Sequence, residues 1–375
     1  MLESFDLVTI IFLMGATQGI FLAGVLFQRP SNRKANRWLA GLMLAYSLFI
    51  AESAISGSPF SFAHPHLLAI AEGAVFLIAP LHYLYAQALI KPDFSFSRRH
   101  LLHGAPFALF YLGFLFPFYL KSGAEKIEIY QVHAGSNPPF YITLLSWLIL
   151  VQGIGYMIVT LRLLKQHKAS VKNRYSNLSE VSLNWLQNIT ILTLGVWIWG
   201  VIIEIMQAFE VAGALTATVP VFITILIYVM GYMGMKQPEI FDGPPHISKM
   251  SKYERSGLSE QKAKALEQKL AHLMKTQKPY TDSNLKIGEL ADMLAISTNY
   301  LSQVINEQYN QNFFEFINSY RVQEAQKRML DSEYQHLTLI AIAYEVGFNS
   351  KSAFNTAFKK HAQTTPSQYR KSMAA

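Results

Sequence analysis

Three glutamates stand inside otherwise apolar stretches, and they are the residues there best suited to bind a polar ligand. They are Glu52, Glu72 and Glu204. Ionisable groups within membrane-spanning helices are costly and usually face a bundle interior or a water-filled cavity. One hypothesis is therefore a signal-sensing pocket for a cationic or hydrogen-bonding ligand. The alternative, which the sequence alone slightly favours, is that these carboxylates lie near the membrane interface and stay hydrated at small cost.

The residue combinations of common enzymes and metal sites are missing from the sequence. There are no cysteines, so disulfides and thiolate metal sites are excluded. His100 and His103 lack the glutamate and third ligand of a zinc protease site, and there is no P-loop, dinucleotide glycine pattern or nucleophile elbow. His82 and His103 are a candidate proton-sensitive pair, although isolated histidines more often bond a neighbour or water. We predict no catalytic residue, metal or cofactor, and a protein that is not an enzyme.

Seven apolar runs have the roughly 20 residues that a helix needs to cross a bilayer. They lie near 7 to 28, 38 to 56, 67 to 90, 101 to 119, 140 to 161, 183 to 208 and 212 to 235. The first run follows Glu3 and Asp6 instead of a basic region, and basic residues come after it. We expect a retained transmembrane helix there and not a signal peptide.

Lys and Arg residues concentrate in alternate loops between these runs. The first, third and fifth loops hold Arg29, Arg33, Lys34 and Arg37, then Lys91, Arg98 and Arg99, then Arg162, Lys165, Lys168, Lys172 and Arg174. The other loops hold only Lys121 and Lys126. Because cytoplasmic loops carry the positive excess, we expect the N-terminus outside and everything after Lys236 in the cytoplasm. The three glutamates then share a similar outward depth, and the expected location is a bacterial inner membrane, crossed several times.

A change of composition at Lys236 marks the predicted domain boundary, and Gly243-Pro244-Pro245 prevents a helix from continuing straight out of the membrane. We predict a membrane domain over 1–235, a linker and connector helix over 236–279, and a C-terminal domain over 280–375. In the connector, Leu266, Leu270 and Leu273 share one face of a helix predicted over 258–274. Packing on its own domain is favoured, and a short dimer seam stays open.

The C-terminal region contains two copies of one pattern about 52 residues apart. A pair of small residues, Ala291 and Ala295 in the first copy, precedes Ser297, which suits an N-cap. Ala343 and Gly347 precede Ser350 in the second copy in the same way. Small residues allow two helices to cross steeply through a short turn. The pattern predicts helix-turn-helix units at about 287–308 and 338–361, with Tyr300, Leu301, Val304, Ile305, Phe354 and Phe358 turned inward.

Between the copies, residues 313–330 are predicted to form an amphipathic linker helix about 27 Å long. Its apolar face holds Phe313, Phe316, Ile317, Tyr320, Ala325 and Leu330. Helix-turn-helix units that read one face of DNA need a spacing near one helical turn, about 34 Å. The length of the predicted linker helix is therefore of the same order as this spacing.

These residues resemble the DNA-binding domain of AraC/XylS-type transcription regulators over about 280–371. The resemblance rests on the run from Ile340 to Phe348, the close from Thr365 to Arg370, and the linker run from Asn318 to Val322 with Ala325. It implies an all-α fold and base contacts from the exposed face of each second helix. The implied positions are Asn299, Ser302 and Gln303 in the first unit and Lys351, Ser352, Asn355 and Thr356 in the second.

The predicted contact faces differ from each other in charge. Lys351, Asn355 and Lys359 lie at i, i+4 and i+8, whereas the first face, with Asn306, is neutral. Many family members have arginine at the positions of Gln303 and Thr356, and glycine at that of Gln363, so the contact chemistry here is weaker in charge. Lys359, Lys360, Arg370 and Lys371 are candidates for phosphate contacts. Residues 246–375 carry 17 basic and 12 acidic side chains, a moderate attraction for nucleic acid.

Two functions are consistent with this sequence. The first is a one-component regulator, in which a seven-helix membrane bundle senses a signal and a cytoplasmic helix-turn-helix domain binds promoter DNA. Its expected partners are promoter DNA and membrane lipid, with RNA polymerase, a second copy of the chain and an unknown signal ligand as further candidates. The second function is a transporter or receptor whose helical tail binds a cytoplasmic protein. An all-helical domain with a protein partner in place of DNA is the corresponding alternative for the C-terminal region.

Overall fold

The computed structural model describes residues 7–56, 58–91, 94–134, 138–178, 181–237 and 260–374. Within these ranges the secondary structure is helical, with one isolated β-bridge between Tyr175 and Lys286. Glu3, Asp6 and the Gly243-Pro244-Pro245 break lie outside the described residues. The chain divides into two compact units, one formed by 1–165 with 183–242 and the other by 166–182 with 243–375. The segment 166–182, expected to be a loop of the membrane domain, thus groups with the C-terminal region.

Seven helical segments are long and apolar enough to cross a membrane; six lie in the first unit, and the fifth begins there and ends in the second unit. They are Leu7–Gln28, Arg33–Ile55, Pro65–Ile90, Arg98–Tyr119, Phe140–Lys172, Asn184–Ala208 and Gly213–Lys236. Each overlaps one of the seven predicted runs. We label the regular helices α1 (Leu7–Gln28), α2 (Arg33–Ile55), α3 (Val75–Ile90), α4 (Gly123–Ala134), α5 (Phe140–Lys172), α6 (Asn184–Ala208) and α7 (Thr218–Lys236).

The helices α1, α2 and α7 pack closely in this unit. A Cβ atom on Gly19 of α1 would lie 2.1 Å from the Ser47 hydroxyl of α2. On Gly231 of α7 it would lie 2.4 Å from a methyl group of Leu22. Small residues let helices in an apolar environment approach closely, where packing replaces the missing hydrophobic driving force. The first, second and seventh apolar helices therefore approach one another closely.

Two of the apolar segments are irregular. The third begins with short 3-10 turns at Pro65–Leu67 and Glu72–Ala74 before α3 starts. The fourth combines a 3-10 helix at Arg98–Gly104, a helical turn at Ala105–Phe110 and a π-helical turn at Tyr111–Leu115. Irregular backbone at membrane depth is tolerated where it is buried in protein or lines a cavity. Residues of both segments do line a cavity of this unit.

The second unit consists of short helices around two apolar cores. Its helices are α8 (Glu260–Thr276), α9 (Ile287–Met293), α10 (Thr298–Tyr309), α11 (Phe313–Leu330), α12 (Leu339–Glu345), α13 (Lys351–Ala362) and α14 (Pro366–Ala374). The first core joins α8, α9, α10 and the start of α11, and the second joins the rest of α11 to α12 and α13. The linker helix α11 has the predicted bounds, and its two halves each complete one core.

The predictions of which residues are buried in this unit hold for α8 but not for the end of α11. Leu266, Leu270 and Leu273 of α8 are buried, the last two in the first core, as packing on their own domain requires. Leu330 is half exposed at the end of α11, and the neighbouring Met329 is buried in its place.

The small residues of the repeated pattern divide into two kinds. Ala295 and Gly347 lie past the ends of α9 and α12, in turns with positive φ. Gly347 suits this conformation because it has no Cβ atom. Ala291, Ala343 and Gly347 are buried, whereas Ala295 is exposed.

Candidate functional site

The second helix of the first unit, α10, is positioned by its cap and its buried face. The Ser297 hydroxyl accepts a hydrogen bond from the backbone N–H of Tyr300 at 3.3 Å, as predicted for an N-cap. Leu301, Val304 and Ile305 are buried, and Tyr300 is half-buried. This arrangement leaves the polar side of α10 for a partner.

On that polar side, Asn299 and Asn306 are exposed, and Ser302 and Gln303 are half-buried. Gln303 donates to Glu307 at 2.9 Å, and Asn306 donates to the hydroxyl of Ser302 at 3.3 Å. These bonds lie along one helix and on its surface, where other acceptors can replace them. The face is thus neutral and amide-bearing, with Glu307 one turn further on.

The corresponding helix of the second unit, α13, presents a basic face. The Ser350 hydroxyl accepts from the N–H of Ala353 at 3.2 Å, and Phe354 and Phe358 are buried. The five residues predicted to contact DNA from this helix are all exposed, and they are Lys351, Ser352, Asn355, Thr356 and Lys359. The structure therefore brings these five predicted residues together on one surface.

Two of the basic residues proposed for phosphate contacts have other partners. Lys360 pairs with Glu315 of α11. The guanidinium of Arg370 donates to the carbonyl oxygens of Leu337 and Gln335, both at 2.8 Å. Their cationic groups hold α13 and α14 to the rest of the domain, so Lys360 and Arg370 would have to exchange these partners to contact phosphates. Lys359 and Lys371 remain exposed.

The linker helix carries a buried arginine that the sequence pattern did not single out. Arg321 is 2% exposed. Its Nε donates to the carbonyl of Tyr280 at 2.7 Å, and its Nη2 donates to the carbonyl of Asp282 at 2.6 Å. Burial lowers the pKa of Arg321 to about 10, so the group is still charged at neutral pH and depends on these acceptors.

The same guanidinium binds the segment that connects α5 to α6. Nη1 donates to the carbonyl of Ser176 at 3.3 Å, and Nη2 donates to its hydroxyl at 3.2 Å. That hydroxyl donates in turn to the carbonyl of Leu285 at 2.7 Å. The N–H of Ile287 donates to the carbonyl of Arg174 at 3.0 Å. The segment 174–176 is therefore fixed to the linker helix and to the start of α9.

Gly347 brings the turn of the second helix-turn-helix unit against the same cluster. Its φ is +100°, and a Cβ there would lie 2.4 Å from the carbonyl oxygen of Tyr280 and 2.9 Å from Nε of Arg321. An L side chain would be strained by the conformation and would also clash with backbone. The position therefore requires glycine, and Arg321 links both halves of the domain.

One turn further along α11, Glu324 forms a second buried polar cluster. It is 7% exposed and accepts from Nζ of Lys278 at 2.8 Å and from Nε of Arg328 at 3.4 Å. Burial opposes ionisation of Glu324, but the two cations outweigh it and hold its pKa below the usual value. The signal for both clusters was present in the sequence, because Arg321 and Glu324 share the buried stripe of α11 with Ile317 and Ala325.

The first unit encloses a cavity of about 770 Å³ whose lining includes Glu52, Glu72 and Glu204. The three glutamates predicted from the sequence therefore share one site. Glu52 is already satisfied: it accepts from the N–H groups of Ala69 and Ala71 and from the Ser56 hydroxyl, at 3.0, 3.3 and 2.7 Å. It fixes the irregular start of the third apolar segment, where Ala69 has a φ of +60°.

The candidate histidine pair is not brought together. His82 shares a hydrogen bond of 3.0 Å with the hydroxyl of Thr190, and His103 one of 2.6 Å with that of Tyr156. Each ring thus bonds a neighbour, which is the alternative that the sequence left open.

Comparison with known proteins gives a match for the C-terminal region. Residues 290–372 match the family model of a helix-turn-helix domain. An HTH-type transcriptional regulator of Staphylococcus aureus is 33% identical over 87 residues, which are 23% of this chain and 11% of that protein. The Msm operon regulatory protein of Streptococcus mutans is 30% identical over 24% of this chain and 31% of its own length. A putative AraC-like transcription regulator of Streptomyces lividans is 31% identical over 23% of this chain and 27% of its own length.

Among solved structures, the C-terminal domain of the response regulator yesN from Fusobacterium nucleatum is 29% identical. The match covers 28% of this chain and 98% of that one, with a TM-score of 0.25. All these likenesses are confined to about a quarter of the chain. The chain spans less than a third of the length of these three curated relatives.

The two capped units, their shared linker helix and the family match define a helix-turn-helix DNA-binding domain. It is of the AraC type, as the resemblance predicted.

Proposed function

We propose that this protein is a membrane-bound, one-component transcription regulator. The observation that carries the proposal is that one chain holds both a helix-turn-helix domain of AraC type and seven helices of membrane-spanning length and composition. The faces of α10 and α13 contact promoter DNA. Residues Asn299, Ser302, Gln303, Lys351, Ser352, Asn355, Thr356 and Lys359 make these contacts.

The cavity of the membrane unit is the proposed signal-sensing site, and α5 carries the response. The segment 174–176 directly follows α5 in the chain and is hydrogen-bonded to Arg321 of the linker helix. A shift at the end of α5 therefore acts on the helix that holds the two DNA-reading units. Because the spacing of the two units decides whether both can bind one face of DNA, a small movement of the linker helix changes affinity.

Crosslinking in cells tests this function. A tagged full-length chain is crosslinked to DNA, membranes are separated from the soluble fraction, and the DNA recovered with each fraction is sequenced. We expect full-length protein in the membrane fraction, enriched for a small set of promoters. Recovery of the promoters only with a shortened soluble fragment would replace tethered action by proteolytic release. A full-length membrane protein that recovers no specific DNA would favour a receptor whose tail binds a protein.

A further inference from the structure

The cavity in the membrane unit contains acidic groups that have no partner in the described part of the chain. Glu72 and Glu204 both line it, and neither takes part in a hydrogen bond or ion pair among the described residues. Glu52 lines the same cavity, so the lining holds three carboxyl groups. A bound cation would offset their mutual repulsion.

The basic groups that line the same cavity are already engaged. Lys121 is 3.8 Å from the carboxylate of Glu125 on α4. His133 shares a hydrogen bond of 2.7 Å with the hydroxyl of Tyr141. The charge that the cavity offers to a ligand is therefore negative, and an anionic ligand would meet unpaired carboxylates instead of free cations.

A second and independent observation comes from two buried hydroxyls at the cavity wall. Tyr46 and Thr193 are 1% and 2% exposed, and both line the cavity. They are neighbours, yet neither hydroxyl makes a hydrogen bond of normal geometry within the described residues. Buried polar groups in native proteins nearly always have a partner. Because both hydroxyls belong to residues of the cavity wall, a molecule bound in the cavity is a candidate for the missing partner.

The rest of the cavity wall is apolar and rich in aromatic rings, among them Phe76, Phe110, Phe114 and Trp197. Aromatic faces attract organic cations and also bury apolar groups. A small inorganic cation would leave most of the 770 Å³ without contacts. The occupant that fits all these features has an apolar or aromatic body and one protonated amine.

We propose that the cavity binds an amphiphilic organic amine, with its ammonium group at the carboxylate of Glu72 or of Glu204 and its body against the aromatic wall. Tyr46 and Thr193 provide hydrogen bonds next to the charged group, and Glu52 positions the backbone at Ala69 and Ala71. This inference rests on the proposed function only for the role of the amine as the signal. The binding site itself can be tested without DNA.

The test uses the full-length chain in nanodiscs of uncharged phosphatidylcholine and three probes with one skeleton. These are radiolabelled 4-phenylbutylamine, 4-phenylbutanol and 4-phenylbutyrate, at pH 7.5. We expect saturable binding of the amine, with affinity at least about tenfold above that of the alcohol and the acid. Equal binding of alcohol and amine, or no saturable binding of the amine to folded protein, would overturn the proposal.

Substitutions of the cavity residues test which side chains bind the amine. At least one of Glu72→Gln and Glu204→Gln should lower the affinity for the amine at least about fivefold, whereas Glu128→Gln, on the exposed side of α4, should leave it unchanged. Tyr46→Phe keeps the ring and removes the unsatisfied hydroxyl, so the unliganded protein should be no less stable while amine affinity falls. Wild-type affinity in both glutamine variants would place the amine elsewhere and refute the site.

Measuring DNA binding by the protein in the same nanodiscs distinguishes failure of the amine site from failure of the proposed function. If the amine binds as predicted and changes promoter affinity, both proposals are supported. If it binds and leaves promoter affinity unchanged, the site stands and its role as the signal site is wrong. If the protein binds no DNA at all, the proposed function fails, whatever the result for the amine.

Discussion

The Nη2 atom of Arg321 donates a hydrogen bond of 3.2 Å to the hydroxyl of Ser176, joining residues 145 positions apart in the chain. Arg321 belongs to the linker helix of the DNA-binding domain, and Ser176 follows the fifth apolar helix. Because the arginine is buried and charged, each acceptor that it loses leaves donors unsatisfied in a dry environment, which typically costs about 1 to 3 kcal/mol. The bond is therefore a specific restraint on the segment between α5 and α6.

We predict that Ser176→Ala loosens this segment. The substitution removes the acceptor for Nη2 and the donor to Leu285. Hydrogen exchange of the amides of Ser176 and Ile287, both bonded across this contact, should become faster by roughly one to two orders of magnitude, corresponding to about 1 to 3 kcal/mol. Ser319→Ala is the matched control, since its hydroxyl bonds only within α11. Unchanged exchange at Ile287 would show that the contact contributes no stability.

Gly347→Ala should destabilise the C-terminal unit. The positive φ and the contact of 2.4 Å with the carbonyl of Tyr280 both oppose a methyl group, and strained positions of this kind cost about 1 to 3 kcal/mol before any clash. Pulse proteolysis in urea, with the full-length protein in nanodiscs, measures the change. Gly288→Ala is the control, because nothing lies within 4 Å of its Cβ position in α9, and it should be neutral or slightly stabilising. Equal effects of the two variants would contradict the close packing at Gly347.

The stability of the C-terminal unit should depend on pH through Glu324. Its pKa is lowered in the folded state, so its contribution is present above the ordinary carboxyl pKa and is lost as the pH falls through the lower folded value. Glu324→Gln should therefore flatten the loss of stability below about pH 4.5. Glu333→Gln, at an exposed site, should leave that slope unchanged. A slope in Glu324→Gln equal to that of the wild type would contradict the role of this cluster.

The helices α10 and α13 should contribute differently to DNA binding, α13 to affinity for all sequences and α10 to base preference. Lys359→Ala on the basic face of α13 should weaken binding to all sequences similarly and reduce the slope of log affinity against log salt by about one. Gln303→Ala on α10 should relax preference at one or two base positions, by about 1 to 3 kcal/mol, with little change in slope. Lys360→Ala is a control for the basic face, because Lys360 pairs with Glu315 and should affect stability more than the slope. Equal loss of specific and nonspecific binding in the first two variants would show that the helices share both tasks.

Much of this architecture can be predicted from local sequence patterns. The features that could not be predicted depend on contacts between residues that are far apart in the chain. Apolar run lengths predict all seven long helices, and the repeat around Ser297 and Ser350 predicts both capped units, because caps and burial stripes are set by nearby residues. The role of Arg321 could not be predicted in the same way, since its acceptors come from Tyr280, Asp282 and Ser176. The positive φ of Ala295 likewise depends on a turn between two helices, whereas the spacing of the small pair predicts a continuous helix there.

The cavity of the first unit is a second feature that local sequence patterns do not predict. Topology alone gives Glu52, Glu72 and Glu204 a similar depth, but it does not say whether they face one space. That space is formed by residues of α2 to α7 and by the irregular backbone of the third and fourth apolar segments. The pattern of apolar residues does not predict this irregular backbone. Glu52 differs from the other two glutamates because it accepts hydrogen bonds from the N–H groups of Ala69 and Ala71. Nothing in the sequence around these two alanines predicts that contact.

The central claim is that the intact, membrane-held chain reads DNA with two helices at once. Selection of binding sites from a random DNA pool by the full-length protein in nanodiscs tests it most directly, with affinity for the selected sequence measured against salt. We predict a site with two recognised elements about 10 base pairs apart, centre to centre, and a negative salt slope that Lys359→Ala reduces by about one. Failure to enrich any sequence, together with affinity that does not change with salt, would contradict the account.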